Sequence, residues 1–235
     1  MKPKPIRAVL FDLDGTLLDT IEDLADSLNH VLAEASLPTH SVEEVRRLVG
    51  NGIPKLLERA VSADTPRARI GELYRAFLDY YLTHCRVKTR PYPGIPALLA
   101  ALRDRGLRLA VVSNKADPAT QALIRDFFGP CFDFVLGATE GRELKPDRAM
   151  VDAALRALSI QSEEAVYVGD SQVDIRTAEN AGMPCVSVTW GFRSRETLLE
   201  AGAAILADTP EDVRDWVLAH AGEQPAAGTE GEENP

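Results

Sequence analysis

Polar side chains follow several short apolar runs of this sequence, at the points where strands of a sheet would end. They are Asp12 and Asp14, Ser113 and Asn114, Lys145, and Asp170. Because the carboxyl ends of parallel strands meet at one edge of a sheet, we expect three carboxylates, a hydroxyl and an ammonium group to converge there. Such a group can bind a hard cation and an anion side by side.

The acidic residues make a metal site the first chemical expectation. Asp12 and Asp14 are two residues apart, so their side chains point to the same side of a strand, and carboxylates that close favour a shared proton or a bound cation. Asp170 adds a third carboxylate, and oxygen donors of this kind suit Mg²⁺. Asp174, one helical turn later, can orient Asp170 or hold a metal-bound water. Taken singly, Asp12 also fits a turn and Asp170 a helix N-cap.

The elements that must position these residues change in type along the chain. The run Ile6 to Phe11 predicts a buried strand, and only helical patterns follow, with no strand signal between about residue 18 and about residue 87. From Pro91 onwards strands and helices alternate, which predicts a parallel sheet covered on both faces. We therefore predict an α/β fold with a core of residues 1–17 and 88–222, a helical cap of residues 18–87 and a disordered acidic tail of residues 223–235.

Composition and charge argue against several classes of function. The formal net charge of −10 disfavours nucleic acid or an anionic membrane surface as the main partner. No apolar run has the length of a membrane span, and the apolar stretch after the basic residues Met1 to Pro5 is too short for a signal peptide. The three cysteines lie far apart without zinc-ligand spacing, so we expect reduced thiols in a cytoplasmic protein.

Four ordered motifs resemble those of the haloacid dehalogenase superfamily of phosphatases. They are Phe11-Asp12-Leu13-Asp14-Gly15-Thr16, Ser113-Asn114, Lys145-Pro146, and Gly169-Asp170-Ser171 with Asp174. The resemblance covers essentially the whole core and implies a Rossmann-like parallel-sheet core with an inserted all-helical cap domain. One departure is Asp147-Arg148, where many relatives carry a second proline. We expect only a local change, because Asp147 can cap the following helix.

The resemblance also implies the chemistry of the site. Asp12 attacks phosphorus and carries an aspartyl-phosphate, while Asp14 protonates the leaving alkoxide and later activates the hydrolytic water. The presence of Asp14 disfavours the metal-free dehalogenases of the superfamily. Mg²⁺ is held by Asp12, by the backbone carbonyl of Asp14 and by Asp170, with Asp174 in an outer position.

The remaining motif residues are implied to bind and orient the substrate. Ser113 and Lys145 hold the transferring phosphoryl oxygens, and Thr16 and Asn114 help to orient the site. Together these residues supply the alignment and charge neutralisation that phosphoryl transfer requires.

Within the superfamily the chain looks most like the phosphoglycolate phosphatases. Val49-Gly50-Asn51-Gly52 in the cap resembles the substrate loop of that group, and backbone N–H groups at Gly50, Asn51 and Gly52 suit a small anion such as a carboxylate. An ordinary turn between two helices fits the same residues. The expected reaction is hydrolysis of 2-phosphoglycolate, a small phosphorylated metabolite, by a monomer or homodimer.

Several alternatives stay open. The cap motifs are shared in part by β-phosphoglucomutases, which return the phosphoryl group to a sugar, and by pyrophosphatases and sugar-phosphate phosphatases of the same cap class. A non-catalytic binding module is disfavoured because the acidic and lysine motifs are intact. Phosphonate cleavage would need a Schiff-base lysine in the cap, and nothing around Lys55 indicates one. We expect the cap to open and close about hinges near Gly15 to Asp19 and Arg86 to Pro93.

Overall fold

The computed structural model describes residues 4–50 and 52–222, so the predicted acidic tail lies outside the described residues. The strands are β1 Ala8–Phe11, β2 Leu18–Asp19, β3 Arg90–Pro91, β4 Arg108–Ala116, β5 Phe134–Ala138, β6 Ala165–Gly169, β7 Cys185–Val188 and β8 Ile205–Ala207. The helices are α1 Ile21–Glu34, α2 Val42–Leu48, α3 Ile53–Ala60, α4 Arg67–His84, α5 Ile95–Asp104, α6 Asp117–Phe128, α7 Ala149–Leu158, α8 Gln172–Ala181, α9 Arg195–Glu200 and α10 Pro210–His220.

The core is a six-stranded parallel sheet with the strand order β5-β4-β1-β6-β7-β8. Numbered by their order in the chain, the six strands lie as 3-2-1-4-5-6, the doubly wound arrangement of Rossmann-like folds. Val9 and Phe11 of β1 face one apolar cluster, while Ala8 and Leu10 face another. Both faces of the sheet are therefore covered, which confirms the predicted α/β core.

The cap consists of helices α1–α4, inserted between β1 and the other strands of the core sheet. α1 buries an apolar stripe that includes Leu24, Leu28 and Leu32, and α4 buries Phe77 and Tyr81. This arrangement confirms the predicted helical insertion at the carboxyl end of the first strand. The division of the chain at residues 18 and 87 stays a prediction.

The two connections between cap and core lie side by side. β2 pairs antiparallel with β3, which places Leu18 opposite Pro91 and Asp19 opposite Arg90. The backbone N–H groups just before β3 donate to the buried carboxylate of Asp23, in the first turn of α1, at 2.9 to 3.1 Å. We predicted no strand between about residue 18 and about residue 87, and β2 at Leu18–Asp19 contradicts this at the beginning of that range. A two-residue strand is too short to give a periodic pattern in the sequence.

Two further local differences bear on the site. β4 extends to Ala116, so Ser113 and Asn114 lie within the strand, whereas they were predicted to follow its end. Asp147 accepts a hydrogen bond from Ala149 N at 2.8 Å, but the N-cap of α7 is Arg148, one residue later than predicted.

The three cysteines are unpaired. Across the described ranges, no helix combines the length and apolar character needed to cross a membrane.

Candidate active site

A cavity between the cap helices and the carboxyl ends of the core strands brings most of the predicted site residues together. Its volume is about 100 Å³. The predicted residues that line it are Asp12, Asp14, Gly50, Gly52, Ser113, Asn114, Lys145 and Asp170. Thr16 is not among the described lining residues; it is fully buried, and its hydroxyl has no hydrogen-bond partner within the described chain. Asn51 lies outside the described residues, so its role stays a prediction.

The register of three adjacent strands explains why distant motifs meet. In β1, Phe11 pairs with Val111 of β4 on one side and with Val168 of β6 on the other. Asp12, directly after β1, is fixed to β6 because its backbone N–H donates to the Val168 carbonyl at 2.9 Å. Asp170 directly follows β6, at the point where the strand order reverses. Open α/β sheets bind ligands at such a point.

Lys145 joins the first and fourth motifs. Its Nζ lies 2.9 Å from Asp12 Oδ1 and 2.8 Å from Asp174 Oδ1, and it donates to the Tyr167 hydroxyl at 2.9 Å. Burial alone would lower the pKa of Lys145, but the two carboxylates raise it well above its usual value, so the ammonium group stays charged. The Asn114 side-chain amide accepts from Lys145 N at 2.8 Å and donates to Lys145 O at 2.9 Å. Asn114 thereby positions Lys145, and its contact with substrate stays a prediction.

The acidic cluster needs positive charge beyond that of Lys145. One carboxylate oxygen from each of Asp12, Asp170 and Asp174 lies within 4.8 Å of the others. Burial, followed by the charges of Asp174 and Asp12, raises the pKa of Asp170 to about 8. Burial also raises the pKa of Asp12 to about 6, although Lys145 opposes the rise. Buried oxygen donors that resist ionisation fit a hard divalent cation such as Mg²⁺, which would stabilise their charged forms.

The hydrogen bonds distinguish the oxygens that are free for a cation from those already engaged. Asp12 Oδ1 accepts from Leu13 N at 2.7 Å, and Asp170 Oδ2 accepts from Phe192 N at 2.6 Å. Both oxygens of Asp174 are engaged, one by Lys145 and the other by Ser171 N and Oγ. Asp12 Oδ2 and Asp170 Oδ1 accept no hydrogen bond from the described part of the chain. Asp170 Oδ1 is therefore the best-placed side-chain ligand for Mg²⁺, Asp12 Oδ2 is open to a cation or to an incoming substrate, and Asp174 is suited to the outer position.

The N-cap of α8 is Ser171, which forms a capping box with Asp174. Asp170 is therefore not the helix cap that its position in the sequence also allowed, and its carboxylate is not used to satisfy the backbone of α8. Gly15 and Gly191 pack against that carboxylate so closely that a Cβ at either position would overlap Asp170. Gly15 also has a positive φ of 84°, which a side chain would strain.

Lys115, which was not among the predicted site residues, lines the cavity two residues after Ser113. Its buried Nζ donates to both carboxylate oxygens of Asp14, at 2.9 and 3.1 Å, and to the hydroxyl of Tyr81 in the cap. Its backbone N–H donates to Ser113 Oγ at 3.3 Å. The Asp14 carboxylate thus faces Lys115 and is not part of the Asp12, Asp170 and Asp174 cluster. The predicted metal contact of the Asp14 backbone carbonyl stays a prediction.

Arg193, which was also not among the predicted site residues, connects the core to the cap loop. Arg193 lies after β7 and donates to the backbone carbonyls of Arg46, at 3.0 Å, and of Val49. From the cap, Arg59 donates to the Gly50 carbonyl at 3.0 Å. The loop also rests on the core, since a Cβ added to Gly52 would lie 3.8 Å from the Asn114 carbonyl. These contacts fix the predicted substrate loop over the cavity.

Lys55 provides no alternative chemistry. It is exposed, its Nζ pairs with Glu58 at 2.6 Å, and it is not among the described residues that line the cavity. A solvated lysine paired with a carboxylate on its own helix is unsuited to Schiff-base formation, since its amine must lose a proton to react. The cap therefore offers no support for phosphonate cleavage at Lys55.

Comparison with known proteins gives the family. Residues 9–188 match the family model of haloacid dehalogenase-like hydrolases. A phosphoglycolate phosphatase from Rhodospirillum rubrum is 36% identical over 220 residues, which cover 90% of each chain. A Lactobacillus delbrueckii subsp. bulgaricus structure, provisionally assigned as a phosphoglycolate phosphatase, has a TM-score of 0.88 and 33% identity, covering 91% of this chain and 98% of its own.

A third relative carries a ligand. A mutant of CbbY from Rhodobacter sphaeroides, solved in complex with xylulose-(1,5)-bisphosphate, has a TM-score of 0.71 and 28% identity, covering 87% of this chain and 95% of its own. The family match spans β1 to β7 and therefore includes all four motifs. The chain belongs to the haloacid dehalogenase-like hydrolases, and it is an enzyme similar to phosphoglycolate phosphatases.

Proposed function

We propose that this chain is a Mg²⁺-dependent phosphatase that hydrolyses 2-phosphoglycolate to glycolate and phosphate through an aspartyl-phosphate on Asp12. The observation that carries the proposal is that only one of the two carboxylate oxygens of Asp12 is engaged by the protein. Oδ1 is held by Leu13 N and Lys145 Nζ, whereas Oδ2 accepts no hydrogen bond from the described residues. Because Asp12 lines the cavity, one oxygen is fixed and the other is left to attack phosphorus.

In the first step, Asp12 Oδ2 attacks phosphorus and the bond between phosphorus and the ester oxygen breaks. Asp14 gives a proton to the departing alkoxide, which leaves as the alcohol of glycolate. Lys145 and Ser113 hold the phosphoryl oxygens in line with the attacking atom. Mg²⁺, when bound by Asp12, the Asp14 carbonyl and Asp170, supplies the positive charge that offsets repulsion between the Asp12 carboxylate and the phosphate.

In the second step, water attacks the phosphorus of the aspartyl-phosphate. Asp14 takes a proton from this water, and the bond between phosphorus and Asp12 breaks. Inorganic phosphate leaves, Asp12 is again a carboxylate, and Asp14 again carries a proton. The cap decides whether water or a sugar hydroxyl reaches the intermediate, which separates a phosphatase from a phosphosugar isomerase.

The size of the cavity supports a small ester. A volume of about 100 Å³ is well below the ~300–1,000 Å³ of pockets that enclose drug-sized ligands. The relatives named phosphoglycolate phosphatases favour the same substrate. A second candidate, hydrolysis of a sugar bisphosphate, is favoured by the ligand of CbbY. The proposed setting is the cytoplasm, because unpaired cysteines suit a reducing compartment.

The test is the release of inorganic phosphate from 2-phosphoglycolate, xylulose 1,5-bisphosphate and β-glucose 1-phosphate, with Mg²⁺ and with the metal chelated. We expect the highest kcat/KM with 2-phosphoglycolate, loss of activity with EDTA and recovery with added Mg²⁺. Isomerisation of β-glucose 1-phosphate with slow phosphate release would overturn the phosphatase assignment. A higher kcat/KM for the bisphosphate would overturn the substrate.

A further inference from the structure

Lys115 is a buried cation for which the two proposed steps have no use. Its Nζ contacts Asp14 and the Tyr81 hydroxyl and lies 4.5 Å from the centre of the Tyr81 ring. Burial alone would lower the pKa of Lys115, but the neighbouring Asp14 carboxylate and Tyr81 raise it above its usual range. The lysine is therefore charged, and it joins the core strand β4 to the cap helix α4.

The position of Lys115 is beside the path of the leaving group. Asp14, which we assign to the leaving oxygen, lies 2.9 Å from Lys115 Nζ. Because a hydrogen bond to Asp14 spans about 2.8 Å, the leaving oxygen is at most about 6 Å from Lys115 Nζ. In 2-phosphoglycolate a single carbon separates this oxygen from the carboxylate. The carboxylate can therefore reach Lys115 while the phosphoryl group is at Asp12.

Two donor groups meet at this point. The three N–H donors of the Lys115 ammonium group go to the two Asp14 oxygens and the Tyr81 hydroxyl, so an incoming anion would take over one of the two contacts with Asp14. The Tyr81 hydroxyl accepts from Lys115, and its own hydrogen has no acceptor in the described part of the chain. Burial raises the pKa of the Tyr81 hydroxyl, so it keeps this hydrogen. An incoming anion would meet two donors, one from the core and one from the cap.

The other cations of the cavity are engaged elsewhere. Lys145 is held between Asp12 and Asp174, and the Arg193 guanidinium donates to backbone carbonyls of the cap. The cap side of the cavity that Lys115 lines is apolar, with Leu24, Leu56 and Leu78 in its lining. Apolar walls exclude water and strengthen a charge-assisted hydrogen bond.

We propose that Lys115 and Tyr81 form an anion subsite that binds the carboxylate of the substrate, next to the ester oxygen that is cleaved. The subsite selects phosphomonoesters that carry a carboxylate one carbon away from this oxygen. It rests on the proposed phosphatase function and specifies its substrate class. Neutral esters of the same size would lack the contact and would leave Lys115 paired with Asp14.

The test compares 2-phosphoglycolate with ethyl phosphate, an ester of similar size without the carboxylate, in the wild type and in Lys115→Met. Any effect of the substitution on Asp14 acts on both esters and cancels in the ratio of their kcat/KM values. We expect Lys115→Met to lower the preference for 2-phosphoglycolate by about 100-fold, as expected when a buried charge partner is removed. Lys115→Arg should keep part of the preference, and Tyr81→Phe should lower it by about tenfold or less.

Lys55→Met is the matched control, because Lys55 is an exposed cap lysine outside the cavity lining. Its ratio should equal that of the wild type. An unchanged ratio in Lys115→Met, or a wild type that hydrolyses both esters equally well, would overturn the subsite alone. A wild type that is inactive on both esters would refute the phosphatase function, and the subsite with it.

Discussion

Replacing Asp12 with asparagine is expected to inactivate the enzyme and, without divalent metal, to stabilise its fold. The carboxylate is largely buried beside Asp174 and Asp170, and this burial raises its pKa from 3.8 to about 6 despite the nearby Lys145. Each pKa unit corresponds to about 1.4 kcal/mol, so ionised Asp12 costs the folded, metal-free protein about 3 kcal/mol above pH 6. Asparagine has nearly the same shape and no charge.

The sign of the effect depends on pH. A carboxyl group with a raised pKa in the folded state loses stability as pH rises from 3.8 to about 6, the interval between its unfolded and folded values. We therefore expect Asp12→Asn to gain about 1–3 kcal/mol over the wild type at pH 8, and little at pH 4. Added Mg²⁺ should reduce the difference at pH 8, because only the wild type keeps all of its ligands for the ion.

Urea unfolding in EDTA at the two pH values measures this effect, and phosphate release measures turnover. Asp104→Asn is a matched control, because Asp104 is exposed at the end of α5. Its stability should stay within about 0.5 kcal/mol of the wild type, with full activity. An Asp12→Asn protein that is less stable than the wild type at pH 8 without metal would refute the electrostatic reasoning. Persistent turnover would refute the assignment of Asp12 as the nucleophile.

Four further predictions concern the metal, two glycines and the linkers. Mg²⁺ should raise Tm more at pH 9 than at pH 6. Burial raises the pKa of Asp170 to about 8, so at pH 6 the ion must displace a proton from this carboxyl group. Equal increases in Tm at the two pH values would contradict this prediction. Gly191→Ala should weaken activation by Mg²⁺ at least about tenfold, because its Cβ would overlap Asp170. Gly71→Ala, with open space in α4, should add about 0.5–1 kcal/mol to the unfolding free energy. Asp23→Asn should lower that free energy by about 1–3 kcal/mol in urea, since one oxygen replaces two acceptors.

The parallel sheet and the position of the acidic residues could be predicted from the sequence, because apolar runs and motifs indicate the same strands. Short buried strands ending in acidic residues predict a parallel sheet, and its register brings Asp12 and Asp170 together because β1 pairs with β6. The switch in strand order at β1 and β6 then locates the crevice. The convergence at one edge could be predicted because it depends on the burial pattern of single segments and on the common direction of parallel strands, whereas the strand order required the structure.

Lys115 could not be recognised from the sequence in the same way. The register between β4 and β5 shifts between Val112 and Ala116, so simple alternation does not indicate which side chains in that stretch face the cavity. The partner of Lys115 in the cap, Tyr81, is reached only through the packing of α4 over the site. A lysine directly after the second motif was the available signal, and its meaning depended on tertiary contacts.

Arg193 could not be recognised from the sequence either, because its partners in the cap are backbone atoms. Its guanidinium binds backbone carbonyls of the cap, and such acceptors exist at almost every position of any sequence. No residue type in the cap marks the partner. The contact is therefore determined by where the loop after β7 meets the end of α2, which requires the assembled structure.

The pairing of β2 with β3 has a mechanical consequence for the cap. Two separate linkers would let an inserted domain twist, slide and tilt independently about each attachment point. A paired ribbon, braced by Asp23 against the first turn of α1, couples the two attachments through shared hydrogen bonds. Bending across the ribbon preserves those bonds, whereas shear along it breaks them. We therefore expect any movement of the cap to be a bending about this ribbon, which would return Tyr81 and the loop at Gly50 to the same place over the sheet.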